Sequence, residues 1–564
     1  MSYILIHSNN TSLIKSKYFG IDKSVTFDPD PYKDIDLYIS EFITSRILQK
    51  KPKALFIKYA LTNNYISFIG IRLAMHIRLK LNEEDLALVP IIMVGEETII
   101  EISKLSDLAS ILGTSGIYHS NENESNIAKY INEIDQSSLT GLHNKENFIE
   151  RISIPPPSNY TSHHSVTNDW SLIRWAKYLK CTDQIKAESD ITTTLYYKYI
   201  SKKYPINEAT PGSNILIPGD GNILIIDDEA SKGWQVLYEK IITLNPSIKL
   251  LPFEYDFKGK ARQQIVSDCM NFIKSSTIDV IILDLRLCDE DFYLNDNFHD
   301  LTGFLLLEEI KTYNKGLQTI IVSASNKIWN YTNAIDSFAD DYLLKESPEN
   351  SQDPNHTAQS IKNFRKSVEI SLQKKYLKEI WTKLADIKII FENIVTAEPI
   401  QPIKKSKKKF FNEINQFLVI FFDNISHRKA YYGNAFQLLF VVIEILNNDI
   451  VDSKNSTTNS SGKHIWQIRR ASTNLAFFSK NGNAITKGSD LTTDKRSIPW
   501  DQKTFNTAFH LGVDLSNLSN LSKLMDIRHE YIHQDITTGS KVEPTLDNTK
   551  ELFKIIHLMC INYK

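Results

Sequence analysis

The chain has 564 residues, 42% hydrophobic and 10% aromatic, enough for about three or four ordinary cores at roughly 150 residues per domain. A formal net charge of −2 and a pI of about 6.7 exclude a polycation, so any nucleic-acid contact must come from a local patch. The four cysteines form no CxxC pair and no spaced set with histidines, which argues against a disulfide framework and against a zinc site.

The opening "MSYILIHSNN" lacks the basic and apolar regions of a leader. The apolar run "FQLLFVVIEIL" (436–446) is short for a bilayer and contains Glu444. The expected location is cytoplasmic, with no membrane partner. In residues 1–122, "YILI" (3–6), "ALFI" (54–57) and "LVPIIMV" (88–94) read as buried parallel strands, with "ISFIGIRLAMHIRLKL" (66–81) as a helix between two of them.

Residues 123–215 are a linker and helical segment. "SIPPPSNYTSHHS" (153–165) reads as linker, and "DWSLIRWAKYLKC" and "TTTLYYKYISKKY" read as helices. His163, His164 and Asp169 could ligate a metal. The favoured reading is a helix start capped by Thr167 or Asn168, with Trp170, Ile173 and Trp175 packing on a neighbour.

Residues 216–350 carry five strand candidates: "NILIIDDE", "IKLLPFEY", "IDVIILDL", "QTIIVSAS" and "DYLLK". The carboxyl ends of parallel strands share one edge, where ligands bind. Asp227 and Asp228 end the first strand and Asp284 ends the third. Three carboxylates there repel unless a hard cation sits among them, and oxygen-only ligation suits Mg²⁺. Ser323 and Lys345 end the fourth and fifth strands, a hydroxyl and an ammonium suited to a phosphoryl group.

These stretches, with "TGFLLLEEIK", resemble the receiver domain of two-component response regulators. The resemblance implies that Asp284 accepts a phosphoryl group from a histidine kinase or other phosphodonor, and that Asp227 and Asp228 join it in holding Mg²⁺. It further implies that Ser323 and Lys345 contact the phosphate and that Tyr342 is the aromatic switch. Two departures stand out. Extra residues, "CDEDFYLNDNFH", follow the acceptor strand, and "KESP" replaces the usual Lys-Pro pair. The N-terminal segment shares the rhythm without the chemistry: "ILIHSNN" lacks the acidic pair, and Lys58 stands where an acceptor would be. A receiver there is silent.

The expected connector, 351–400, is a long helical stretch (358–395) with a break, and "AEPIQPIKKSKKKF" (397–410) reads as a boundary. "KKSKKK" (404–409) reads as a solvated linker, with a phosphate-backbone contact as the alternative. Residues 401–564 read as an all-α bundle interrupted by the polar segment 447–464. Within it, "KLMDIRHEYIHQD" places Arg528 on the same helix side as Leu521, Leu524, Met525 and Ile532. A buried guanidinium needs an acceptor. A carboxylate such as Asp423, Glu413 or Glu444 is one solution, and a phosphate in a cleft between two subunits is the other.

"RHEYIH" resembles the Arg-x4-His motif of the HEPN family, many of whose members are dimeric, metal-independent ribonucleases. The resemblance implies His533 as general acid or base, Arg528 as the transition-state cation and His529 as an orienting group. Arg528 and His533 stand about 140° apart on an ideal helix, so the reading carries a homodimer or a bent helix with it. The expected whole is a multi-domain chain of two α/β parallel five-stranded sheets, the first degenerate, and a helical C-terminal domain. It would be a phosphorylation-controlled endoribonuclease, by analogy an antiphage effector. The alternative is a non-enzymatic, phosphate-gated regulator or docking protein. A DNA-binding regulator ranks low, because no helix-turn-helix with a basic recognition helix is evident.

Overall fold

The computed structural model describes residues 2–8, 20–21, 23–30, 33–80, 84–142, 145–156, 163–185, 188–207, 216–292, 298–324, 335, 339–427, 431–469, 471, 473–482, 484–494, 497–532 and 542–563. The chain divides into two compact units, residues 1–309 with 319–372 and residues 310–318 with 373–564.

The first unit holds two parallel five-stranded sheets. In the first, β1 (Tyr3–Ser8), β2 (Lys23–Phe27), β3 (Ala54–Lys58), β4 (Ile91–Val94) and β5 (Ile117–Ser120) lie in the order β2-β1-β3-β4-β5. Ile4, Ile6, Leu55 and Ile57 are buried on one face and Leu5, Phe56 and Ile92 on the other, as strands covered on both faces require. The outer strands β2 and β5 escape the apolar-run criterion, because "KSVTF" and "IYHS" mix polar with buried positions. The helix expected over 66–81 occupies Ile69–Arg78, and the run from Leu88 becomes a strand only at Ile91. The helix Glu124–Asp135 packs Ile127, Ile131 and Ile134 into one core with Tyr3, Leu5 and Phe56, so this layer extends beyond residue 122.

The second sheet contains β6 (Gly221–Ile226), β7 (Ile248–Pro252), β8 (Val280–Leu283), β9 (Gln318–Ser323) and β10 (Asp341–Leu344), in the order β10-β9-β8-β6-β7. Four of the five strands lie within the stretches expected for them, β6 begins one residue early at Gly221, and the strand order repeats that of the first sheet. The helix His163–Leu179 packs Trp170 into the core of the first sheet. It sends Leu172, Trp175 and Ala176 into the core of the second. The cap reading of this segment is corrected: Thr167 and Asn168 lie inside the helix and are buried. Asn168 accepts a hydrogen bond from the Trp234 indole at 3.1 Å, so its amide serves a tertiary contact and not a helix end. The side chains of His163 and His164 lie outside the described residues.

The second unit is largely helical, with Tyr376–Ala397, Gln401–Ser426, Tyr432–Ile450, Trp500–His510, Leu515–Ile532 and Leu546–Ile561 around a core that includes Phe391, Phe411, Phe421, Phe436 and Leu552. The expected break falls between helices His356–Gln373 and Tyr376–Ala397. The basic run is no linker. Pro402 sits in the first turn of Gln401–Ser426, where its missing N–H costs nothing, and the lysines continue that helix.

The polar interruption is also structured. β11 (Val451–Thr458) pairs antiparallel with β12 (His464–Ile468), which also pairs with β15 (Thr492–Thr493). β13 (Ala476–Asn481) pairs with β14 (Ala484–Asp490). These strands bury few side chains, with Ile485 the buried position of β14, so no apolar alternation announces them. Among the described residues, no helix is long and apolar enough to cross a membrane.

Candidate functional site

Strand register assembles the acidic pocket. Ile226 of β6 is paired with Leu283 of β8, which sets Asp227 beside Asp284 at the carboxyl edge. Oxygens of Asp227, Asp228 and Asp284 lie within 4.8 Å of one another. Lys345, just past β10, donates to Asp284 Oδ2 at 2.8 Å and to Asp227 Oδ2 at 3.3 Å. Backbone N–H groups fix the carboxylates from the other side. Leu285 donates to Asp284 Oδ1 at 2.6 Å, and Glu229 donates to Asp227 Oδ1 at 2.8 Å.

The electrostatics follow from burial. Burial, Asp227 and Asp284 push the Asp228 carboxyl up to about 9, and burial with the Asp284 charge also raises Asp227 against the pull of Lys345. Burial works against the Lys345 ammonium too, but Asp227 and Asp284 prevail and hold it well above the ordinary lysine range. Three crowded carboxylates with one ammonium have the donor set a divalent cation takes, so these residues fit Mg²⁺.

Tyr342 and Ser323 are both buried, on neighbouring β10 and β9, and share a side-chain hydrogen bond. The sequence left three supports of the pocket unseen. Trp234 lies under Lys345, with the ammonium 4.5 Å from its ring centroid. Asp291, within the extra residues, is fully buried. It accepts from the N–H groups of Leu287 and Thr302 and from the Thr302 hydroxyl, stapling the segment after Asp284 to the helix Thr302–Tyr313. Gly303 donates its N–H to the Leu285 carbonyl at 2.9 Å, and a Cβ there would sit 2.1 Å from the Asp284 carbonyl oxygen.

The residue after Lys345 explains the missing Lys-Pro pair. Glu346 is fully buried and accepts from Arg174 Nε at 2.9 Å, from Ser351 Oγ at 2.7 Å and from Thr357 Oγ1 at 2.8 Å. Its own N–H donates to Ser171 Oγ at 3.0 Å, a bond that proline could not make. The visible signal was an acidic residue where the pattern has proline, together with an arginine in the helix "SLIRWAKY".

The same register on the first sheet shows why it lacks this chemistry. Ile6 pairs with Ile57, so His7, Ser8 and Lys58 stand where Asp227, Asp228 and Asp284 stand in the second sheet. Lys58 forms an ion pair with Glu122, an internal cation in place of an acceptor.

In the second unit, Arg528 lies late in the helix Leu515–Ile532. Leu521, Leu524 and Met525 are buried on that helix, whereas Ile532 is exposed and falls off the expected stripe. Arg528 Nη2 donates to Glu444 Oε1 at 2.9 Å, the carboxylate solution among those open from sequence. The guanidinium also lies over the rings of Phe440 (5.1 Å) and Trp500 (4.8 Å). His529 is exposed on the same helix, and His533 lies outside the described residues.

Among solved structures, the signal receiver domain of a putative LuxO repressor protein from Vibrio parahaemolyticus is 21% identical, with 28% of this chain and 96% of that one covered and a TM-score of 0.20. The Francisella response regulator 1452 receiver domain is 20% identical over 26% of this chain and 99% of its own, with a TM-score of 0.17. NtrX from Brucella abortus is 18% identical, with 28% of this chain and 29% of that one covered, and a TM-score of 0.20. No curated protein matches the chain. Residues 7–120 match the family described as the Inactive Receiver domain, the segment whose edge carries His7, Ser8 and Lys58 in place of three aspartates.

Proposed function

We propose that the chain is a response regulator in which phosphorylation of Asp284 controls a HEPN-type C-terminal ribonuclease. The observation that carries the first half is the set of Asp227, Asp228 and Asp284 oxygens within 4.8 Å, with Lys345 2.8 Å from Asp284. Asp284 Oδ1 is tied by a backbone N–H, and Oδ2 faces Lys345. Oδ2 then attacks the phosphorus of a histidine kinase phosphohistidine or a small phosphodonor. An O–P bond forms, the donor's bond to phosphorus breaks, and the donor leaves with its electron pair. Lys345 neutralises charge gathering on the phosphoryl oxygens, and Ser323 takes one of them as Tyr342 repacks. Mg²⁺ bound by Asp227, Asp228 and Asp284 would supply further neutralisation of that charge.

In the effector half, a ribose 2′-hydroxyl attacks the adjacent phosphorus and the 5′-oxygen leaves, giving a 2′,3′-cyclic phosphate. His533 moves the proton, Arg528 stabilises the added negative charge and His529 orients them. A homodimer brings two copies of the motif together. By analogy the role is a toxic antiphage effector in the cytoplasm. Incubation of the full chain with total RNA, with and without phosphodonor and Mg²⁺, tests the reading. Wild type should cleave under one phosphorylation condition, Arg528→Ala and His533→Ala should not, and Asp284→Ala should lose the response to phosphodonor. RNA intact under every condition removes the ribonuclease half.

One observation favours the non-enzymatic reading. Arg528 is paired with Glu444 and lies against the rings of Phe440 and Trp500, as a purely structural arginine would. In that case the receiver is a phosphate-gated docking module and the helical region is its scaffold.

A further inference from the structure

Arg528 is not the only cation gathered on the helix Tyr432–Ile450. Phe440, Glu444 and Asn448 follow one another at four-residue steps and so form one stripe, about 12 Å long at 1.5 Å per residue. Arg528 covers Phe440 and bonds Glu444. One turn further on, Lys503 donates to Asn448 Oδ1 at 2.7 Å and Arg469 donates to the Asn448 carbonyl at 3.4 Å. Three cations from three different elements thus line a stripe whose own charge is the single carboxylate Glu444. Among the described residues, Arg528 Nε and Trp500 Nε1 are buried donors without a hydrogen-bond partner. Burial and the Arg469 charge both lower the Lys503 pKa against the pull of Glu444, the mark of an under-compensated cationic group.

We infer that Arg528, Lys503 and Arg469 form a strip that binds the phosphodiester backbone of single-stranded RNA. The inference rests on the ribonuclease reading and adds Lys503 and Arg469 to it as positioning residues. They carry the strand along the helix and away from the Arg528 end, where the chemistry is placed. Glu444 competes with phosphate for Arg528 and so restrains binding. Phosphate contacts of this kind are blind to base sequence and release counterions, which fixes the signature to look for.

The test uses the full chain and a fluorescent single-stranded RNA carrying 2′-O-methyl groups, which binds but cannot be cleaved through the 2′-oxygen. Anisotropy titrations across salt concentration should show Lys503→Gln and Arg469→Gln each lowering the slope of log affinity against log salt by about 0.7. The loss should be equal for two unrelated RNA sequences. Glu444→Gln should tighten binding, and Lys249→Gln on the second sheet should change nothing. Unchanged slopes in both strip variants, with unchanged melting temperatures, overturn the strip. So does an absence of RNA binding by the wild type. Unmodified RNA run in parallel separates the two readings. Altered slopes without cleavage keep the strip and remove the nuclease, and cleavage with unaltered slopes does the reverse.

Discussion

Arg174 and Glu346 form a buried ion pair at 2.9 Å, one residue beyond the lysine of the acidic pocket. Arg174 belongs to the helix His163–Leu179, which packs on both sheets, so the pair bolts the end of β10 to that helix. Removing one partner strands the other charge in the interior. Arg174→Met or Glu346→Leu alone should cost about 3–5 kcal/mol in urea unfolding, and the double variant should recover most of that loss. Additive losses in the double variant would show that the two residues act separately.

Lys345 is the cation that holds Asp227 and Asp284 together in the chain itself. Lys345→Met should therefore lower the melting temperature in EDTA and raise the stabilisation gained from Mg²⁺ above that of wild type, since the ion would relieve the stranded carboxylates. Differential scanning fluorimetry across Mg²⁺ concentration reads both effects. A variant indifferent to Mg²⁺ would remove the metal from the account.

Gly303 has no room for a side chain, with backbone of Asp284 and Leu285 in the way. Gly303→Ala should push the start of the helix Thr302–Tyr313 off the Asp284 segment, destabilise by about 1–3 kcal/mol and, on the proposed function, slow phosphoryl uptake. Normal uptake in a stable Gly303→Ala protein would mean that the Asp284 segment tolerates the shift.

The first sheet carries its own acid sensitivity. Burial and the Lys198 charge depress His76 to about 4 against the pull of Asp36, to which its Nε2 bonds at 2.8 Å. Burial would raise Asp36, but His76 and Arg72 overcome it and hold that carboxyl well below the ordinary range. The unfolded chain therefore takes up a proton on His76 near pH 6.5 that the folded chain refuses until about pH 4. Stability from this group is complete above about pH 6.5 and is lost as pH falls toward 4. Melting should drop by on the order of 5 °C between pH 7 and pH 5, and His76→Gln should flatten that slope. A wild-type profile as flat as the variant's would contradict the assignment.

Much of this was legible in the sequence because its central strands are apolar runs ending in chemistry. "ILIIDDE" and "VIILDL" announce both the strand and the carboxylates at its edge, and strand register then brings Asp227 beside Asp284. What escaped has a physical reason in each case. β2 and β5 are edge strands, β11, β13 and β14 put many positions in solvent, and β12 buries only Trp466 and Ile468, so none shows the apolar pattern used to find strands. The helix around Asn168 was read as beginning late because polar residues resemble a cap, whereas here they are buried against Trp234. Glu346, Trp234 and Gly303 act through contacts 172, 111 and 19 residues away in sequence, with Arg174, Lys345 and Asp284 respectively, and no local pattern records such partners.

On the proposed function, the second sheet takes up phosphate at Asp284 and the first sheet takes up none. Intact mass spectrometry of the full chain after treatment with a small phosphodonor and Mg²⁺ measures it directly. One phosphoryl group per chain is expected, lost in Asp284→Ala and in EDTA, and retained in Lys58→Ala. No uptake by the wild type, or uptake that survives Asp284→Ala, would contradict the account.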